Sequence, residues 1–320
     1  MQRAGPATIA DTLANVDLRR LALCIAIESV IFTGYAVRWG WVLDAAGGHA
    51  SFGRLLGARL AGVAAGALTP GAKIGGEPLR ALLLAEAGVP AGPAIASVVV
   101  DRGLELLANV AFAGGYCALF ALRDAAGAWR VVPVVVASGL ALAAAALLLR
   151  DRVGRGAGLV PERFLPALER LGGTKEVLAS TEASLRALLF GRRRLLLAVL
   201  VTALVLNALV FAEYAVLLAA FDARATLPEL AGVLLGVGIA HALPVPGSIG
   251  TLEGAQAAFA RAAGGGAALA VKAATAARLR DLLWTTPGML WLATGARGGQ
   301  GGPRLPGPVP GHGASLEVDG

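Results

Sequence analysis

Apolar residues in this chain run in long, unbroken stretches instead of alternating with polar ones. The stretch 131–149 has no charge and ends at Arg150, Asp151 and Arg152. The stretch 195–212 is 18 residues without charge and follows Arg192, Arg193 and Arg194. Both approach the roughly 20 apolar residues that carry a helix across a bilayer. Residues 21–37 are apolar except for Glu28, and 106–122 carry no charge. Residues 271–294 are apolar at their end, with Lys272, Arg278, Arg280 and Asp281 near the start. A surface helix of a soluble protein keeps a polar face; these stretches show none. Ala and Leu, which dominate them, are strong helix formers. The strands of an outer-membrane barrel alternate over about ten residues, a pattern not seen here. The prediction is an all-α fold: a polytopic membrane helix bundle of about seven or eight embedded elements.

Polar punctuation divides the chain further. Residues 1–17 read as a polar or interfacial lead; Asp11, Asp17, Arg19 and Arg20 argue for a retained first helix, not a cleaved leader. Residues 18–294 read as a single transmembrane domain, and the Gly/Pro-rich 295–320 as a disordered tail. Residues 93–122 suit one long helix or two joined ones. Arg38-Trp39-Gly40-Trp41 suits a membrane interface. Gly62 and Gly66 form a GxxxG, which lets helices approach closely. The hydrophilic segment 150–194 holds ten Lys/Arg against five acids, which places it in the cytoplasm. Within it, Leu168, Leu171, Leu178, Leu185 and Leu188 recur at helical spacing and predict a helix lying on the membrane surface.

Two interruptions carry the most information. The first reads Thr69-Pro70-Gly71-Ala72-Lys73-Ile74-Gly75-Gly76-Glu77-Pro78-Leu79-Arg80, the second Pro244-Val245-Pro246-Gly247-Ser248-Ile249-Gly250-Thr251-Leu252-Glu253. In each, Pro-Gly is followed by a Glu seven residues after the Pro, and an Ala/Leu-rich helical segment follows. Both then reach a small-residue turn, Ala87-Gly88 and Ala263-Gly264. Pro and Gly end a helix and free backbone groups. In hydrocarbon such groups persist only when buried in protein or lining a wet cavity. Paired Gly/Pro-broken segments in two halves point to a transporter's binding site. The expectation is two re-entrant elements forming an internal pseudo-repeat. The helix starting near each Glu offers free N–H groups that suit an anion.

Composition narrows the chemistry. The chain is 57% hydrophobic and 15% charged, against about a quarter charged in soluble domains. The net charge of +7 fits basic cytoplasmic loops; with no basic domain interleaved with aromatics, no nucleic-acid partner is expected. Two cysteines and three scattered histidines give no disulfide framework, metal site or cofactor site. Gly236 and Gly238 lack the strand–turn–helix context of a dinucleotide loop. Intramembrane charge is costly and marks function. Asp101, Glu105 and Asn109 share one helix face, with Arg102 beside them. Glu213 lies in the 195–220 span, and Arg278 and Asp281 in the last one.

With Leu68-Thr69-Pro70-Gly71, Gly76-Glu77-Pro78-Leu79-Arg80, Asp101-Arg102-Gly103-Leu104-Glu105 and Pro244-Val245-Pro246-Gly247-Ser248-Ile249-Gly250 followed by Glu253, the chain resembles the transmembrane, flippase-like domain family of lysylphosphatidylglycerol synthase over roughly residues 20–295. The resemblance implies a helical membrane domain with re-entrant elements and lipid translocation between leaflets. Members with lysyl transfer add a soluble acyltransferase-like domain; here a short Gly/Pro tail follows residue 295, so lysyl transfer is not implied. Stand-alone members are linked to hopanoid or glycolipid pathways. The expectation is a flippase or transporter of a polar-headgroup lipid (phospholipid, glycolipid or hopanoid-type) in a bacterial-type cytoplasmic membrane. Lys73, Arg80, Arg102 and Arg278 are the candidates to meet a phosphate. Glu77, Asp101, Glu105 and Glu253 would pair with them or meet a cationic headgroup. Pro70, Gly71, Pro244, Pro246 and Gly247 are the structural breaks. Two other readings stay open: a membrane enzyme using Asp101 and Glu105, and an accessory protein that docks a lipid-biosynthesis enzyme through 150–194.

Overall fold

The computed structural model describes residues 16–69, 76–121, 125–155, 175–243, 245–262 and 264–295. Among them the regular structure is helical. In chain order the helices are α1 (Leu18–Ala45), α2 (Phe52–Leu68), α3 (Gly76–Glu86), α4 (Ala91–Ala121), α5 (Ala125–Arg155), α6 (Lys175–Gly191), α7 (Arg193–Ala220), α8 (Leu227–Ala242), α9 (Thr251–Ala262) and α10 (Gly266–Gly295). Helices α1, α4 and α7 are long and apolar enough to cross a membrane by length and composition. The segment around residues 93–122 is one helix, and the charged start of the last apolar run is absorbed into a 30-residue helix.

The helices repeat. Lengths of 28, 17, 11 and 31 residues in α1–α4 recur as 28, 16, 12 and 30 in α7–α10. One constant offset carries Pro70 onto Pro246, Glu77 onto Glu253, Arg102 onto Arg278 and Glu105 onto Asp281. Gly88 and Gly264, which end the two short helices, both sit at positive φ, 88° and 87°, the conformation that closes a helix at a glycine. Packing follows the same symmetry. Helix α2 lies on α10 while α8 lies on α4, and α1 pairs with its equivalent, α7. At that central seam the backbone N–H of Asp17 donates to Ala220 O at 2.9 Å, and the Asp17 side chain caps α1 through the N–H groups of Arg19 and Arg20. Helices α5 and α6 stand between the repeats in sequence.

In each repeat the short helix turns back on the helix before it. Gly76 opens α3 directly against Gly62 of α2, where a Cβ would run into the Gly62 carbonyl. In the second repeat Gln256 of α9 donates to Val233 O of α8 at 3.2 Å. Leu252, at the place equivalent to Gly76, is fully buried and seats α9 with a large side chain.

Two expectations change. Arg38 and Trp39 do not sit at an interface: both are fully buried, and the Trp39 indole N–H donates to Ser97 Oγ at 3.2 Å. Arg38 is drawn inward by a carboxylate 63 positions away. The helix Lys175–Gly191 buries Leu185 and Leu188 together with Val42, Ala96 and Val100, so its apolar face packs on α1 and α4 rather than lying free on a membrane surface. Residues 166–174 of that stretch lie outside the described residues.

Candidate functional site

Seven ionisable side chains from the four helices of the first repeat form one network, buried at Arg38, Arg59, Arg80 and Asp101 and partly exposed at Glu77 and Arg102. Asp101 on α4 is its centre, with its side chain fully buried. Its Oδ1 accepts from Arg38 Nε (2.9 Å) and Nη2 (2.7 Å) on α1. Its Oδ2 accepts from Arg80 Nη2 (2.8 Å) on α3 and Arg59 Nη1 (3.3 Å) on α2. One turn on, Glu105 accepts from Arg59 Nη2 at 3.0 Å and from Arg102 Nη1 at 3.1 Å. Glu77 closes the ring, accepting from Arg80 Nη1 at 2.8 Å, with Arg102 Nε 3.5 Å from its other oxygen. Tyr35 and Trp39 line one side: the Arg59 guanidinium lies 4.0 Å from the Tyr35 ring centre and that of Arg80 4.1 Å from the Trp39 ring. Such cation–π contacts gain strength when desolvated.

Four arginines face three carboxylates here, so the network carries one surplus positive charge. Arg38 Nη1, Arg59 Nε and Arg80 Nε are buried and find no acceptor among the described residues. Leaving such donors unmet costs about 1–3 kcal/mol each. Surplus charge and unmet N–H groups together are what an anion would satisfy.

The second break has a different construction. After α8 the chain passes Val245 into a tight turn, Pro246–Ser248. Gly247, Ser248 and Gly250 have φ of 59°, 49° and 79°. Glycine takes that conformation freely; Ser248 takes it at a cost of about 1–3 kcal/mol. Arg278 holds the turn. Its Nη1 donates to Gly247 O and its Nη2 to Ser248 O at 2.8 Å. The same guanidinium meets Glu253 through Nε (2.8 Å) and Nη2 (3.1 Å). Glu253 in turn accepts from the Gly250 N–H at 2.9 Å, capping the start of α9. The seven-residue Pro-to-Glu spacing therefore has a local cause here: it brings the Glu to the third helical position, where it reaches back to the cap.

A cavity of about 210 Å³ lies between the end of α2 and the turn that precedes α9. The end of α2 (Gly66, Leu68, Thr69) forms one wall, and Gly247, Ser248 and Arg278 form the other. His241 and Asp281 also line it, with His241 Nε2 3.8 Å from Asp281 Oδ2.

Of the residues singled out in the sequence, Glu77, Arg80, Asp101, Arg102 and Glu105 come together in the first network. Glu253 and Arg278 form the second, and Arg278 is the one that lines the cavity. Lys73, Pro70, Gly71 and Pro244 lie outside the described residues, as does the side chain of Pro246. Sequence reasoning missed Arg38 and Arg59. Each is a cation set among apolar neighbours well inside its helix, and that setting was the available signal.

A family model described as the lysylphosphatidylglycerol synthase TM region matches residues 1–288. The chain belongs to this family. It is therefore a multi-pass membrane protein. Among curated proteins, two UPF0104 membrane proteins of Methanothermobacter thermautotrophicus are 32% and 35% identical over 102 and 105 residues, each match covering 32% of this chain. A UPF0104 membrane protein of Pyrococcus horikoshii is 28% identical over 102 residues, 31% of this chain. The chain spans 30% of the length of each of these relatives. No solved structure matches.

Proposed function

We propose that the protein moves a lipid with an anionic group in its headgroup between the leaflets of a cytoplasmic membrane. One observation carries this reading: a surplus positive charge with three unmet N–H donors, buried inside a helical membrane bundle. A charge in that setting is expensive, and a phosphate or sulfate on a passing headgroup would offset it. Arginine suits that role because its planar fork meets two phosphate oxygens at once. The cavity between the end of α2 and the second break gives the headgroup a first foothold, with Arg278, Ser248 and Thr69 in its walls. The two hairpins, broken at equivalent places, are the elements that would open alternately around it.

The test is reconstitution into liposomes carrying a panel of lipids labelled in one leaflet. The reading expects protein-dependent loss of leaflet asymmetry for lipids with a phosphate headgroup. If no lipid of a broad panel moves faster than in protein-free vesicles, the protein does not translocate lipids.

A further inference from the structure

A third ionic cluster lies away from both sites. Glu28 of α1, Glu213 of α7 and Arg280 of α10 meet at the seam between the repeats. Arg280 Nε donates to both oxygens of Glu213, at 3.0 and 2.9 Å, and Arg280 Nη2 donates to Glu28 Oε1. Both carboxylates thus crowd the same edge of one guanidinium. The Glu28 and Glu213 side chains are 4% and 1% exposed. Glu28 Oε2 is buried and finds no donor among the described residues.

Among the described residues no second guanidinium or ammonium forms an ion pair with Glu28 or Glu213. Cys24 and Tyr35 on α1, Tyr214 on α7 and Asp281 on α10 lie within electrostatic reach, and Tyr35 in turn lies against the guanidinium groups of Arg38 and Arg59. The Tyr214 ring stacks under Arg280 at 5.2 Å. Asp281 adds negative charge and has His241 beside it. Two ionised carboxylates on one arginine would leave a net negative charge in an apolar interior. Like-charged carboxylates sharing a site do not both ionise; one keeps its proton. In this the cluster is the opposite of the Asp101 network, whose imbalance is positive.

We propose that Glu28 and Glu213 together hold one proton on Arg280, making this trio a proton-binding site at the seam between the two repeats. The proton sits on a carboxylate oxygen, either Glu28 Oε2 or an oxygen of Glu213, and the other carboxylate stays ionised against the guanidinium. Uptake and release change the charge of the trio between zero and minus one. Helices α1, α7 and α10 all contribute to it, so a change in charge acts on the contact between the halves. The site does not depend on lipid movement.

The experiment is infrared spectroscopy of the purified full-length protein in lipid nanodiscs, reading the carbonyl stretch of protonated carboxyl groups and its shift in D2O. Wild type is expected to show the band at neutral pH and to lose it on alkaline titration. Glu28→Gln and Glu213→Gln are each expected to lose it at neutral pH, since one carboxylate against Arg280 needs no proton. A wild-type spectrum without the band overturns the proposal whatever the variants do. A band of wild-type strength in either folded glutamine variant overturns it as well.

Discussion

Arg80 and Gln256 occupy equivalent positions in the two repeats, as do Asp101 and Ala277, Arg59 and Leu235, and Arg38 and Tyr214. All eight are buried. In the first repeat they build an ionic core across four helices; in the second the same places hold an amide, a methyl group, an isobutyl group and a phenol. The positions that do match in chemistry are Glu105 with Asp281 and a more peripheral ion pair, Glu77 with Arg102 against Glu253 with Arg278, 25 residues apart in each repeat. The comparison separates two jobs. The shared ion pair belongs to the construction of a broken hairpin, since in the second repeat it braces a strained turn and caps a helix. The charge found in one repeat alone is unnecessary for that construction, and the proposed function assigns it to binding an anionic headgroup.

Six substitutions probe this contrast. The largest effect is expected from Asp101→Asn, which leaves Arg38, Arg59 and Arg80 short of their shared carboxylate; breaking a buried pair costs about 3–5 kcal/mol. Thermal unfolding in detergent should show a large drop, while Ala277→Ser at the equivalent place stays close to wild type. An equal drop in both would erase the asymmetry.

Next come the starts of the two short helices. Leu252→Ala empties a fully buried site and should cost about 2–5 kcal/mol. Gly76→Ala instead forces a methyl group into the Gly62 backbone and should cost about 1–3 kcal/mol. The two hairpins would thus fail for opposite reasons, cavity against overpacking, which unfolding midpoints of the pair can resolve.

Arg278→Lys keeps the charge but loses the fork that serves Gly247 O, Ser248 O and Glu253 together. Amide exchange should quicken roughly ten-fold at Ser248 and Gly254, corresponding to about 1.4 kcal/mol of local stability, with α3 unaffected. The smallest effect belongs to Glu253→Gln. That side chain is 47% exposed, and an exposed pair contributes about 0–1 kcal/mol, so the unfolding midpoint should barely move.

Much of this was legible in the sequence where the cause is local. The apolar runs became helices, the two Pro-Gly breaks fell in equivalent places, and Asp101, Arg102 and Glu105 proved to be one face of a helix with its neighbour. Glu77 and Arg80, named in the sequence only as members of one candidate group, are one turn apart and pair in the structure. What stayed hidden depends on distant pairing. Arg38 and Arg59 meet Asp101 across 63 and 42 positions, and no nearby acid announces either. Arg38 beside two tryptophans carries the same local signature as an interfacial anchor; its burial is decided by a carboxylate on another helix. The helix at 175–191 misled for a related reason. Its amphipathic pattern records that one face is apolar, and whether lipid or protein covers that face is set by α1 and α4.

The central claim is that the surplus positive charge of the first repeat serves an anionic headgroup. The most direct measurement compares Arg102→Gln with the double variant Glu77→Gln/Arg102→Gln in the leaflet-labelled liposome assay, with gel filtration confirming that each is folded. The single variant cancels the surplus and should slow movement of a phosphate-headgroup lipid by ten-fold or more, roughly the 1.4 kcal/mol of one lost charged contact. The double variant restores the surplus and should recover most of the rate. A single variant that moves lipid as fast as wild type, or a folded double variant no faster than the single one, would contradict the account.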